Sequence, residues 1–317
     1  MCVPHEHDDF SIPVTEDAYR VFLGQLVEAR LLVPLGVRGL YGRGGEFERV
    51  IERFDALVTK AGSHLKPEVV RFPPIFGRKD YEKIDHINNF PDLMGSVHTF
   101  TGDEREHREM LDKFARREDW SRDLAPAQVM MVPAGCYPLY PTAAGTTLPV
   151  GGRRVDTQGF IFRHEPSDDP ARMQIFRQHE HVRLGTPDEA LDHRNYWLER
   201  AKEIFLSVGL VVEQVVANDP FFGRGGKVQK AMQREQVLKY ELVIPICSVE
   251  KPTAISSSNL HLDHFGAAFD IKTHDGETAH SACIGFGLER TALALFKTHG
   301  LDSGKWPADV RDVLTLG

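Results

Sequence analysis

The chain has 317 residues, a formal net charge of -8, and 41% hydrophobic and 26% charged residues. That is ordinary globular composition with enough length for a sizeable core. The acidic balance argues against broad, non-specific nucleic-acid binding, which needs a basic footprint.

The opening MCVPHEHDDF lacks the basic start and apolar core of a signal peptide, and no apolar run is long enough to span a bilayer. A cytoplasmic protein with a flexible N-terminus over residues 1–15 is expected. From Asp17 to about Leu32 the spacing predicts a helix, with Phe22, Leu26 and Ala29 on one side. The glycine-rich run 34–45 reads as a turn, since it lacks the Lys-Ser/Thr ending of a phosphate loop. EFERVIERFDALVTKAG is the clearest helix, with Phe47, Val50, Ile51, Phe54, Leu57 and Val58 on one stripe and Gly62 at its C-terminal end. A strand over 68–76 is stopped by Pro73 and Pro74. A charged helix follows over 102–118, then a strand and loop over 127–141.

Beyond residue 155, strand-like runs dominate: VDTQGFIFRHE, MQIFRQHEHVRL, LVVEQVV, YELVIPICS, GAAFDI and SACIGFG. PDEALDHRNYWLERAKEIFLSVG, KVQKAMQREQVLKY and LERTALALFKTHG read as helices. Many strands with few alternating helices predict an α+β fold, a largely antiparallel sheet flanked by helices. Residues 16–317 are expected to form one catalytic domain.

The stretch FRHEPSDDPARMQIFRQHEH (162–181) concentrates charge between strand-like runs. Arg163 and Glu165 are two apart and share a strand face. Arg172, Phe176 and Glu180 also share parity. Two arginines and a flat aromatic form a coherent nucleotide site, because the guanidinium fork suits phosphate. Near the C-terminus, GFGLER puts Arg290 at a helix beginning, where its charge opposes the helix dipole and calls for an anionic partner.

The four cysteines, Cys2, Cys136, Cys247 and Cys283, form no CxxC pair. With reduced thiols expected, metal ligation is favoured over disulfides. Cys136, Glu180 and Cys283 stand near the two arginine motifs. Two thiolates and a carboxylate suit Zn²⁺ and leave an open fourth position. His179 and His181 fall on the opposite strand face from Phe176 and rank lower; His280 is a third alternative. Cys247 reads as a small buried hydrophobe.

These motifs resemble those of class II aminoacyl-tRNA synthetases. FRHE followed by RMQIF resembles motif 2, GFGLER motif 3, and the helix before VVRFPP motif 1. The resemblance implies that Arg163 contacts the α-phosphate of ATP, Phe176 stacks on adenine and Arg290 holds the γ-phosphate, with Mg²⁺ bridging the phosphates. Arg172 is then placed near the phosphate tail, and Glu165 near the adenine or the amino acid. Glu241, Ser257, Ser258 and Asn259 correspond to groups near ATP, magnesium and substrate. Seryl enzymes have a glutamate before the ISSxSN-like run where this chain has Ala254, so that magnesium ligand does not carry over.

PAGCYPLYP, FRHEPSDDPARMQIFRQHEHVRLG, NDPFFGRGGKVQKAMQREQVLKYELVIP and HSACIGFGLER also resemble a narrower family. This is the amino acid:[carrier protein] ligases, truncated homologues of the methanogenic-type seryl-tRNA synthetases. That family's Cys-Glu-Cys zinc site captures the substrate α-amino group. The resemblance implies ATP-dependent activation of glycine or alanine, transfer to a carrier protein's phosphopantetheine thiol, and a homodimer. No tRNA is expected, because only about 40 residues precede the motif 1 helix and the chain is acidic. Lys227, Lys230 and Arg234 fall on one helical face. On spacing alone that is an ordinary solvated face; the family implies a carrier-docking insertion near 224–240. The alternatives are a seryl-type tRNA synthetase or a catalytically inactive paralogue with a binding or regulatory role.

Overall fold

The computed structural model describes residues 18–217 and 237–317. The expected flexible segment 1–15 and the docking residues Lys227, Lys230 and Arg234 lie outside them.

Helix α1 (Ala18–Glu28) buries Phe22 and Leu26, as the spacing predicts, but ends before Leu32. The chain turns there because β1 (Leu32–Pro34) pairs antiparallel with β2 (Tyr41–Arg43), so the glycine-rich run supplies the connecting turn and the second arm of a hairpin. Ala29, expected on the apolar side, is exposed beyond the helix end. Helix α2 (Gly45–Gly62) matches its prediction, with Phe47, Val50, Ile51, Phe54 and Val58 buried. At about 1.5–3 kcal/mol for each side chain removed from water, this stripe holds α2 to the core. Gly62 answers to a close approach: a Cβ there would lie 2.4 Å from His181 Cε1.

The strand expected over 68–76 is two strands divided by Pro73 and Pro74, which cannot donate to a ladder. The first, β3 (Glu68–Val70), joins the main sheet, and β4 (Ile75–Gly77) joins a smaller one. Short helices α3 (Arg78–Tyr81) and α4 (His86–Asn89) lead to β5 (Ser96–Thr99). Helix α5 (Glu104–Ala115) starts at a capping box between Asp103 and Glu106. Strand β6 (Ala125–Met131) lies between β4 and β5 in the three-stranded sheet.

The remaining elements are β7 (Arg153–Phe162), β8 (Ile175–Gly185), α6 (Pro187–Ser207), β9 (Glu213–Val216), β10 (Lys239–Ile244) and β11 (Thr253–Leu262). They are followed by α7 (His264–Phe269), β12 (His280–Gly287), α8 (Leu288–His299) and α9 (Ala308–Leu314). GAAFDI, expected as a strand, belongs mainly to α7. There Phe265 and Phe269 sit one helical turn apart and are both buried. The run expected as a helix through Tyr240 ends in β10 instead, and AISSSN lies within β11.

The main sheet has seven strands in the order β3-β7-β8-β12-β11-β10-β9. Every neighbouring pair is antiparallel except β3 with β7. Helices α2 and α6 pack against the face of β8 that carries His179 and His181. The opposite face is left to Phe176, Glu180 and the loop bearing Cys136. Among the described residues no helix is long and apolar enough to cross a membrane.

Candidate functional site

Strand register assembles the open face of the sheet. Glu241, Ser257, Gly285, Glu180 and Thr157 pair successively across β10, β11, β12, β8 and β7. Paired residues in antiparallel strands point to the same face. The adjoining row holds Lys239, Asn259, Cys283 and Val182. Gly135, beside Cys136, is held close, since a Cβ there would lie 3.0 Å from Glu180 Oε1.

Cys136, Glu180 and Cys283 converge. One ligand atom from each lies within 4.8 Å of the other two, and all three residues are buried. Cys136 comes from the start of the short 3-10 helix Tyr137–Ala143. The main-chain N–H of Gly135 donates to Glu180 Oε1 at 2.9 Å, while Glu180 Oε2 has no hydrogen-bond partner. Asn259 Nδ2 donates to Cys283 Sγ at 3.5 Å, and His261 Nε2 lies 3.7 Å from the same sulfur. His261 Nδ1 is 3.0 Å from Ser281 Oγ and 3.3 Å from the Tyr140 hydroxyl.

The electrostatics match this crowding. The neighbouring Cys283, burial and Glu180 push the Cys136 thiol well up. The Cys136 contact pulls Cys283 down, but burial and Glu180 outweigh it, and that thiol is raised too. Burial raises the Glu180 carboxyl despite its contacts with both thiols and Gly135. Three acids this close cannot all ionise in a dry pocket without a cation. A dication reverses the preference and deprotonates its thiol ligands. The two sulfurs, the orphaned Oε2 and the shared focus therefore fit Zn²⁺.

Along β8, Phe176 is flanked by both predicted phosphate ligands. Arg163 lies 5.6 Å and Arg290 5.9 Å from the ring centroid. The Arg163 guanidinium donates to the Pro133 carbonyl at 3.1 Å. That of Arg290 donates to the carbonyls of Ala171 (2.8 Å) and Ala254 (3.0 Å). Backbone carbonyls aim both cations without neutralising them.

Other predicted site residues sit differently from their strand-parity placement. Arg163 and Glu165 lie just past the end of β7, in a turn closed by a 2.8 Å hydrogen bond from the Glu165 N–H to the Arg163 carbonyl. Arg172 is in the loop before β8, exposed and paired with Glu165 at 3.2 Å and Asp169 at 3.8 Å. Glu241 shares the Glu180 row and pairs with Lys239 at 3.2 Å. Ser257 and Asn259 face the site. Ser258 faces away, donating to the Arg194 carbonyl on α6 at 3.1 Å. His280 takes no part in the Cys-Glu-Cys group.

Sequence reasoning missed Gly135, Tyr140 and His261. His261 had a usable signal, since it continues the alternation Ser257, Asn259 on β11. It also missed a buried charge network behind Phe176. Arg177 Nε is 2.9 Å from Glu289 Oε1, its terminal nitrogens reach Glu48 at 2.7 and 2.9 Å, and Arg43 Nε is 3.0 Å from Glu289. This network ties α2, β2 and β8 to the start of α8, next to Arg290.

No family model matches the chain. Among curated proteins it is similar to amino acid–[acyl-carrier-protein] ligase 1 of Bradyrhizobium diazoefficiens, 43% identical over 290 residues, covering 90% of this chain and 88% of that protein. Ligase 2 of the same organism is 41% identical over 295 residues, covering 93% and 88%. Among solved structures, the Methanopyrus kandleri seryl-tRNA synthetase in complex with Aquifex aeolicus tRNASec superposes with a TM-score of 0.79 at 20% identity. That match covers 93% of this chain and 60% of the other, and it shows the class II synthetase catalytic fold.

Proposed function

The chain belongs to the amino acid–[acyl-carrier-protein] ligase family, and we propose that it activates glycine or alanine with ATP and passes it to a carrier protein's phosphopantetheine thiol. The observation that carries this reading is the convergence of Cys136, Glu180 and Cys283 on the sheet face that also bears Phe176, Arg163 and Arg290. Phe176 and Glu180 are four residues apart, roughly 13 Å along a strand. That separation suits an aminoacyl-adenylate lying along β8 with its base at Phe176 and its amine at Glu180.

Zinc held by Cys136, Glu180 and Cys283 would supply an open Lewis-acid position for a neutral α-amino group. The substrate carboxylate is then free to attack the α-phosphorus of ATP. One carboxylate oxygen bonds to phosphorus and the bond to the bridging oxygen breaks, releasing pyrophosphate. Arg163 neutralises charge growing on the α-phosphoryl oxygens and Arg290 holds the γ-phosphate, while Mg²⁺ bound with the nucleotide would supply further charge neutralisation. Phe176 offers its face to adenine. Glu165 and Arg172 close the rim at the base and the phosphate tail; Glu241, Ser257 and Asn259 border the substrate from the adjoining strands. In the second half-reaction the carrier thiol attacks the mixed-anhydride carbonyl, AMP leaves, and a thioester forms without an enzyme nucleophile. A homodimer built on α2 belongs to the same reading.

Amino-acid-dependent exchange of labelled pyrophosphate into ATP, run across all twenty amino acids, tests it. Glycine or alanine should support exchange, and Arg163→Ala should reduce it by about 10²–10³-fold, the scale of one lost transition-state donor. No exchange with any amino acid would sink the reading, and charging of tRNA would replace it with a seryl-type synthetase.

Carrier docking by Lys227, Lys230 and Arg234, which lie outside the described residues, is the second part of the proposal. A basic helix complements the acidic helix that carrier proteins present beside the prosthetic arm. Reversing the three charges should depress thioester formation while leaving pyrophosphate exchange intact. An equal loss in both half-reactions would refute the docking role.

A further inference from the structure

Directly behind Glu180, a second set of ligand-type side chains meets on the helix-covered face of the sheet. Asp156 on β7 and His181 on β8 are register partners, and His179 lies two residues before His181. One ligand atom from each lies within 4.8 Å of the others. His179 Nε2 is 3.4 Å from Asp156 Oδ1, and His181 Nε2 is 4.0 Å from Asp156 Oδ2. All three residues are at most 2% exposed.

The ring nitrogens fix what these atoms offer. His179 Nδ1 lies 2.7 Å from Asp55 Oδ1 on α2. The His181 ring donates to the Val58 carbonyl, also on α2. In the tautomer that carries its proton on the outer nitrogen of each ring, each Nε2 turns a lone pair inward. Neither Nε2 has a hydrogen-bond partner, and neither does either Asp156 carboxylate oxygen. Arg71 Nη1 forms an ion pair with Asp156 Oδ1 at 2.9 Å, but it donates its hydrogens to the main-chain carbonyls of Val70 at 3.1 Å and Asp156 at 2.9 Å. Lone pairs facing a carboxylate with no hydrogen between them repel, and a buried polar atom left unsatisfied costs about 1–3 kcal/mol. A cation at the common focus relieves both.

We propose that Asp156, His179 and His181 hold a second divalent transition-metal ion of the zinc class. Two imidazoles and a carboxylate favour such an ion over calcium or magnesium. Asp55 and the Val58 carbonyl are the outer partners that set each ring's tautomer, an arrangement usual for metal-bound histidine. Trp197 stacks on His181 at 4.0 Å, and Gly62 presses on the ring from α2. The site is walled in, so its role is structural. It clamps β7, β8 and α2 behind the strand that aims Glu180.

The competing arrangement is a metal-free cluster in which a protonated His179 bridges Asp55 and Asp156. The contacts with these two carboxylates do raise the pKa of His179 against the effect of burial. Metal content separates the two. Full-length protein saturated with Zn²⁺ and desalted through a weak chelator should retain about two zinc ions per chain, one per donor set. Cys136→Ser/Cys283→Ser protein should keep one, and His179→Gln/His181→Gln protein should also keep one. A wild-type protein with one zinc, all of it lost in the double-serine variant, overturns the proposal. Because the histidine variant can misfold, a further arm loads the double-serine protein with Co²⁺. A ligand-field band without sulfur charge-transfer absorption is expected, and no visible band overturns the proposal.

Discussion

Glu180→Ala is expected to empty the Cys136–Cys283 site and to cut amino-acid-dependent pyrophosphate exchange on the order of 100-fold or more, given that merely second-sphere partners of metal ligands are worth 10–100-fold. The substitution removes the one carboxylate of the three ligands. Cys136 comes from a loop and Cys283 from β12; Glu180 is where they meet, its Oε1 already held by the Gly135 N–H and its Oε2 unpartnered. Two thiols alone leave the ion short of a third protein ligand. The Cys283 contact and burial hold the Cys136 thiol up, and burial holds the Cys283 thiol up against its contact with Cys136, so protonation would then compete with binding. Metal analysis and exchange kinetics on the same preparation check this together. Undiminished zinc in the Cys136–Cys283 site would hand the third position to another donor. Lost exchange with zinc retained would make Glu180 a substrate contact only.

The legibility of this site follows strand parity. Glu180, Phe176 and the outward-turned His179 and His181 were readable because β8 runs unbroken from Ile175 to Gly185 and alternates throughout. Parity failed where the chain was not a strand. Arg163, Glu165 and Arg172 lie in the connection between β7 and β8, so their positions are set by turn hydrogen bonds rather than alternation. The same alternation holds on β11. Ser257 and Asn259 face the site, and Ser258 between them faces α6; reading the run as strand would have separated them. The split at Pro73 and Pro74 and the helix at His264–Phe269 were lost for another reason. Short apolar runs carry no decisive period, and tertiary pairing chooses between strand and helix. The Arg43–Glu48–Arg177–Glu289 network is invisible to local pattern, because Arg43 and Glu48 meet partners more than a hundred residues away, Arg177 and Glu289.

That network carries the largest expected effect on stability. Glu289 is 1% exposed and answers to two cations, Arg177 at 2.9 Å and Arg43 at 3.0 Å, while also accepting the Arg177 main-chain N–H at 2.6 Å. With Glu48 the group balances at two positive and two negative charges. Burial already pulls the Arg43 guanidinium down, offset by Glu289. For Arg177, burial is outweighed by Glu48 and Glu289, so its charged form is held by these carboxylates. Glu289→Gln keeps the shape but leaves a net positive charge buried, and breaking a buried pair by removing one partner typically costs about 3–5 kcal/mol. Glu48→Gln removes the more exposed carboxylate, with a third of its side chain in solvent, and should cost less. Denaturant unfolding of the two variants measures the difference. Because Glu289 precedes Arg290 at the start of α8, the first variant should also weaken ATP binding. Equal costs for the two, or less than about 1 kcal/mol for Glu289→Gln, would mean that water or the Phe160 ring, which both arginines overlie, replaces the carboxylate as their partner.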